Sequence, residues 1–437
     1  MKLRGRILAV SSVVAVSAMA LSGCSGGGGG GGADGEVEIL GAFTGDQAKA
    51  FQTELDEWGK DSGISVNYTA SDAFQTAVVT RVTAGDPPDI AIYPNPGVLK
   101  QQTDSLLPLD DLVDVDEIAA DEAEGLADLA TVDGKTYGLP YSINIKSLVW
   151  YNPAAFAKYG YTVPTTDDEM MALTDKIKAD GTGYPWCIGI EAGGSTGWPA
   201  TDWLEEYVLR YGGIDEYNEW ITHDIPFDSD LVKQAGEKFG DIALTEGNVN
   251  GGGPAIATTN FGVAGNELFV DGKASGQCFM MRQGSFIADF FPDDIKAQIA
   301  AGDYSNVDVF PLPTPSDADT NGVLGGGDLV GAFSDSDNAK EVVEFLVSAD
   351  FGTKGYASQA IFLSPHSDFD ASLYTSKFQT AAADAVAGAE VFGFDASDQM
   401  PGAIGSGTEW TNLTEWITGQ KTLDEALKDI DDSWPSE

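Results

Sequence analysis

The stretch VEILGAFTGDQAKAFQTELDEWGKDSGISVNYTASDAFQTAVVTRVTAGDPPDIAIY, residues 37–93, switches repeatedly between the period of a strand and the period of a helix. Val37 to Ala42 is an apolar strand segment that breaks at Phe43-Thr44-Gly45. Ala48, Phe51, Leu55 and Trp58 follow at spacings of three and four, one face of an amphipathic helix, and Gly63 marks its end. Ile64, Val66 and Tyr68 alternate as a second strand. Asp72 stands at a helix N-cap position, and Phe74, Val78 and Val82 continue as a helical face. Gly85-Asp86-Pro87-Pro88 then breaks the chain before a third short strand, Asp89 to Tyr93. The order β-α-β-α-β predicts a parallel open sheet with right-handed connections, covered by helices. Such sheets bind ligands beyond the carboxyl ends of their strands, which here are Phe43-Thr44, Ser71-Asp72 and Tyr93-Pro94-Asn95.

Toward the N-terminus, Lys2, Arg4 and Arg6 precede an apolar run from Ile7 to Leu21, the pattern of a secretory signal and too short to span a bilayer. The run closes on Leu21-Ser22-Gly23-Cys24, which resembles the bacterial lipoprotein cleavage box. Residues 1–23 are thus expected to be a signal peptide and Cys24 a lipidated anchor. Residues 24–34, with seven consecutive glycines from Gly26 to Gly32, form a flexible tether. A phosphate-binding loop would need a strand before the glycines and a helix after them, and a signal peptide precedes these.

The chain has 437 residues, more than one core usually supports, so two lobes are expected. Its 69 acids against 23 Lys and Arg give a formal charge of −46, which excludes nucleic acid as a partner. Hydrophobic residues at 43% and aromatics at 10% place those acids on a folded body rather than a disordered one. With Cys24 consumed, Cys187 and Cys278 remain; in an oxidising compartment they form either a disulfide or two buried free thiols.

Farther along, Val132-Asp133-Gly134-Lys135-Thr136-Tyr137-Gly138-Leu139-Pro140-Tyr141, followed by Leu148-Val149-Trp150-Tyr151-Asn152, resembles the signature of the extracellular sugar-binding proteins of ABC transporters. Asp133-Gly134 has its own warrant as a type I′ hairpin turn. The resemblance continues through Phe156 to Gly160 and Pro164 to Glu169, where Asp167 replaces the family's customary tryptophan. It extends through Phe269 to Lys273, Gly284-Ser285-Phe286, Val309 to Pro313, Leu324 to Gly327 and Asn338 to Val347. Trp186 to Glu191, Gly197 to Trp203, His223 to Phe227 and Met400 to Ala403 are similar to the α-glucoside-binding branch.

This resemblance implies an α/β, periplasmic-binding-protein-like fold of two α/β lobes joined by a multi-strand hinge, with the ligand cleft between them. Chain crossings are expected near Asn144 to Asn152, Val309 to Pro313 and Ser348 to Thr353. The first lobe would combine residues 35–145 with about 310–350, and the second would combine 146–309 with about 351–437. The ligand would be an oligosaccharide and the partner the permease subunits of an ABC importer. The protein would act as a monomer without cofactor or metal.

A saccharide offers hydroxyls that need directional partners and C–H patches that pack on aromatic faces. Residues of those types in loops at strand ends are Thr44, Asp72 and Tyr93, then Asn144 at the first crossing. In the second lobe they are Trp198, Asp202 and Arg282, with Glu409 and Trp410 as further candidates. Gly326, Gly327 and Asp328 close from the other side, where the family brings backbone to the ligand and a missing side chain makes room. Each has a plainer reading. Asp72 and Asp202 can cap helices, Tyr93 can pack in the core, Arg282 can neutralise a carboxylate, and the glycines can form a simple turn. Trp198, between Gly197 and Pro199, suits a platform for a sugar ring.

Two enzyme or ligand alternatives compete with this reading. A glycoside hydrolase needs two opposed carboxylates, which 69 acids supply by chance. Only His223 and His366 are available as histidine bases for a serine triad. The second alternative keeps the binding-protein fold and changes the ligand to a metal, a peptide or a compatible solute; a transition-metal receptor needs clustered His or Cys, which the sequence lacks, and peptide receptors tend to be longer.

Overall fold

The computed structural model describes residues 35–122, 126–358 and 362–435. Cys24, the signal segment and the glycine tether of residues 24–34 lie outside the described residues. No helix among the described residues is long and apolar enough to cross a membrane.

The opening stretch folds as its periodicity predicts: β1 (Glu36–Gly41), α1 (Gly45–Ser62), β2 (Ser65–Ala70), α2 (Phe74–Ala84) and β3 (Ile90–Tyr93). α1 buries Phe51 and Leu55, and α2 buries Phe74 and Val78, the positions that set the helical period. Both helices stop at glycines that adopt a left-handed conformation, Gly63 at φ 80° and Gly85 at φ 74°. β1 pairs in parallel with β2 and with β3. The sheet is completed by the long strand Gly322–Ala332, which runs antiparallel to β3 and to Leu139–Ile145 and parallel to Val391–Phe394. Its core is aromatic. Phe51 lies edge-on to Tyr68 at 5.0 Å and to Tyr141 at 5.6 Å, and burying each such ring contributes about 1.5–3 kcal/mol.

A second sheet orders Asp308–Pro311, Leu148–Tyr151, Cys278–Arg282 and Tyr184–Trp186. Its core is built around the helix Trp198–Ile221, where the buried Trp203 stacks on Phe239 at 5.4 Å and meets Trp186 edge-on at 5.8 Å. Cys187 and Cys278 form a disulfide that ties the end of one strand to the start of its parallel neighbour across a sequence separation of 91. At Asp167, where the family's tryptophan is missing, the side chain is buried and paired with Lys238 at 2.6 Å.

The chain is therefore two α/β lobes joined by several strands. Ile145, Leu148 and Val323, from two of the crossing segments, share a small core of their own with Leu363 and Ala382. The boundaries differ from expectation at two points. Residues 308–311 pair with Leu148–Tyr151 in the second sheet, so the chain re-enters the first lobe along Gly322–Ala332 rather than near 310. The chain also does not leave the first lobe near 348–353. Phe351, Tyr356, Phe362 and Phe369 all pack in the first-lobe core. The cause is a buried carboxylate. Glu54 of α1 accepts the backbone N–H groups of Gly352, Lys354 and Tyr356 at 2.9–3.0 Å. The third crossing follows Val391–Phe394, after which Ala396 and Met400 join the second-lobe core.

Candidate functional site

A cavity of about 510 Å³ opens where the lobes meet, within the range of about 300–1,000 Å³ common for small-molecule sites. The first lobe lines it with the segments that follow β1, β2 and β3: Phe43 and Gln47, Asp72 and Gln75, Pro94 and Asn95. These are the strand ends singled out by the β-α-β-α-β pattern. The crossing strands add Ser142, Asn144 and Lys146 on one side and Gly326, Gly327 and Asp328 on the other. Gly326 pairs with Asn144 in the antiparallel ladder. A Cβ at position 326 would lie 3.4 Å from the Asn144 amide and from the Lys146 stem, in ordinary contact, so Gly326 keeps the strand surface beside them open.

The second lobe contributes rings. Trp198 lies at the start of its helix, edge-on to Phe261 at 4.9 Å and tilted against Phe286 at 5.9 Å. Trp410 and Phe290 extend this apolar wall, and Asp395, Ser397 and Asp398 bring polar groups beside it.

Lys146 is the electrostatic centre. It is buried, its Nζ donates to Asp202 Oδ1 at 2.8 Å and to Asp395 Oδ2, and it sits 5.4 Å from the Trp198 ring centre. Burial disfavours its charge, but Asp202 and Asp395 outweigh that and hold the ammonium well above its ordinary range. Burial would likewise raise Asp395, yet Lys146 brings it below the usual carboxylate value. Asp398 is pushed well up by burial and by the charge of Asp395. Asp202, Glu205 and Asp395 converge closely enough to suggest a metal. Lys146 holds two of them, and Glu205 accepts the Ala396 and Ser397 backbone N–H groups. The donor set suits an ammonium, not an added ion.

Bonds across the crossings bind this centre to both lobes. Ser147 Oγ donates to Glu206 at 2.8 Å and accepts the Leu324 N–H at 2.8 Å. Asn95 of the first lobe accepts from Gln75 Nε2 at 2.6 Å and donates to Asp398.

Seven of the twelve ligand candidates line the cavity: Asp72, Asn144, Trp198, Gly326, Gly327, Asp328 and Trp410. Asp72 does not cap α2, whose N-cap position is Ala73. Burial pushes the Asp328 carboxyl up to about 7, and its nearest side-chain partner is Ser142 Oγ at 3.5 Å. The other five are placed elsewhere. Thr44 is exposed at the head of α1, while its neighbours Phe43 and Gln47 reach the cavity. Tyr93 is fully buried, edge-on to Phe74 at 5.3 Å with its hydroxyl 3.2 Å from Gln102 Oε1, because a strand side chain one residue before the loop points into the core. Asp202 and Arg282 stand beneath the floor. Arg282 donates to Glu206 at 2.6 Å and lies 3.5 Å from Asp202, so it neutralises carboxylates, the plainer of its two readings. Glu409 is fully buried behind Trp410, its oxygens without partners and its pKa held high by burial.

Lys146, Asp395, Asp398 and Phe286 escaped the sequence reading, and Asn95, named in the third strand end, was not chosen among the ligand candidates. Phe286 had a signal, as the aromatic of Gly284-Ser285-Phe286. Lys146, two residues from Asn144, had only its position on the crossing strand.

Residues 44–352 match the bacterial extracellular solute-binding protein family. The chain belongs to that family. This solute-binding protein is 36% identical over 423 residues to the osmoprotective compounds-binding protein GgtB of Synechocystis sp., covering 96% of this chain and 97% of the relative. It is 34% identical over 410 residues to the alpha-glucosides-binding periplasmic protein AglE of Rhizobium meliloti, covering 91% and 86%. Its fold matches, with a TM-score of 0.74 at 20% identity over 92% of this chain and 100% of the other, a structure solved in work on xylan utilization by the thermophilic bacterium Caldanaerobius polysaccharolyticus.

Proposed function

We propose that this solute-binding protein captures a saccharide, in particular an α-glucoside, between its lobes and delivers it to the permease subunits of an ABC importer. The observation that carries this reading is the mixed lining of the interlobe cavity. Trp198, Trp410 and Phe286 form an apolar wall for sugar C–H faces, opposite Asp72, Gln75, Asn144 and Asp328, which offer hydrogen-bond partners to hydroxyls. Two relatives are named for osmoprotective compounds and for alpha-glucosides. A ligand that touches both lobes stabilises the closed arrangement through contacts that exist only there.

In this proposal Cys24 carries acyl chains that hold the protein at the outer face of the membrane, and no reaction is catalysed. A binding screen tests the first part: maltose, trehalose, sucrose, longer α-glucans, raffinose-type galactosides and xylo-oligosaccharides against the full chain. A ligand at 100-fold excess over Kd adds about 2.7 kcal/mol of apparent stability, so a hit among the α-glucosides is plain in a thermal shift. Silence with every sugar would reject the reading, and turnover of aryl glycosides would replace it with a hydrolase.

A further inference from the structure

The charges around the cavity are unevenly divided. Among the described residues that line it, Asp72, Asp328, Asp395 and Asp398 are carboxylic acids and Lys146 is the sole Lys or Arg. That ammonium is already committed. It donates to Asp202 and Asp395, which leaves it one N–H and surrounds it with more acid than it can neutralise. Two polar atoms of lining residues are buried without a partner, the acceptor Asn144 Oδ1 and the donor Trp410 Nε1.

We propose that the cleft selects by charge: it accepts neutral or amine-bearing saccharides and excludes uronates and sugar phosphates. This rests on the saccharide reading above. A neutral sugar supplies hydroxyl donors to Asp328, Asp72 and Asn144. An amine supplies the same bonds with a favourable charge. A carboxylate or phosphate finds no free counter-charge, because Lys146, the sole Lys or Arg among the described lining residues, is spent on Asp202 and Asp395, so the anion loses its water without compensation.

The test is isothermal titration of the full chain with the neutral disaccharide that binds best in the screen, compared with its own 6-phosphate, 6-glucuronate, 6-amino-6-deoxy and 6-acetamido derivatives. The amine is expected to bind within about 10-fold of the parent, and both anions at least on the order of 100-fold more weakly. The acetamide separates bulk from charge and is expected to bind better than either anion. The double variant Asp72→Asn, Asp328→Asn is expected to narrow the gap between neutral and anionic ligands, even where it weakens both. Anions binding as well as the parent would overturn the inference, as would an acetamide rejected as strongly as the phosphate. Should no saccharide bind at all, the parent reading fails and takes this one with it, an outcome separable from the others because the neutral ligand reports it alone.

Discussion

Lys146 is the residue on which the site most depends. Removing this buried cation takes the ammonium from both Asp202 and Asp395 and leaves Asp202 only the Arg282 guanidinium at 3.5 Å, a loss that costs about 3–5 kcal/mol in buried pairs of this kind. Lys146→Met is therefore expected to lower the urea midpoint strongly, and Lys146→Arg to lower it less; equal stability of Lys146→Met and the parent would contradict the assigned role. Asp328 makes a different prediction. Its folded-state pKa of about 7 lies above that of an unfolded Asp, and burial is the leading cause. Between about pH 4 and 7 the folded state therefore holds a proton that the unfolded state has released. Stability from this group is greatest below that window and falls as pH rises through it. Asp328→Asn is expected to flatten the pH dependence of denaturant stability between about pH 4 and 7, measured against the parent chain. An unchanged slope would mean that Asp328 titrates normally.

At the scale of elements, two tethers hold segments that their local sequence would not place. The disulfide between Cys187 and Cys278 closes a loop of 91 residues around much of the second lobe. Changing both cysteines to Ser is expected to cost about 2–5 kcal/mol, read from denaturant curves with and without reductant. Glu54 performs the second tethering by holding the 352–356 turn through three backbone N–H groups. Glu54→Ala leaves those buried donors unsatisfied, at about 1–3 kcal/mol for each that finds no water. Faster amide exchange confined to residues 352–356 and to α1 is the expected signature. The third chain crossing was misplaced on the sequence for this reason. Nothing in the residues around Ser348 to Thr353 announces that a glutamate three hundred positions earlier will anchor them. The opening β-α-β-α-β run was legible because its signal is local: Phe51, Leu55, Phe74 and Val78 are spaced by the helix itself, and Gly63 and Gly85 end their helices by their own conformational freedom.

On the scale of the whole molecule, two lobes share a cavity whose walls come from segments as distant as Phe43 and Trp410. A bound ligand that bridges them should contract the molecule, and small-angle scattering with and without the best saccharide checks this. An unchanged radius at saturating ligand would argue against lobe closure. Asn95 donates across the cleft to Asp398, one direct bond between the two lobes.

The sequence by itself determined the parallel α/β start, the chain's membership of a recognisable family and the strand ends that border the cleft. These follow from periodicity, turn residues and ordered motifs, which are properties of short segments. Only the tertiary structure decided that Tyr93, Asp202, Arg282 and Glu409 lie behind the cavity wall, and that Lys146, Asp395 and Asp398 form its charged floor. Burial and pairing are set by which segments meet, and a strand residue and its neighbour, alike in sequence context, point to opposite faces. The same acid can cap a helix, neutralise an arginine or face a ligand, and the fold alone chooses among them.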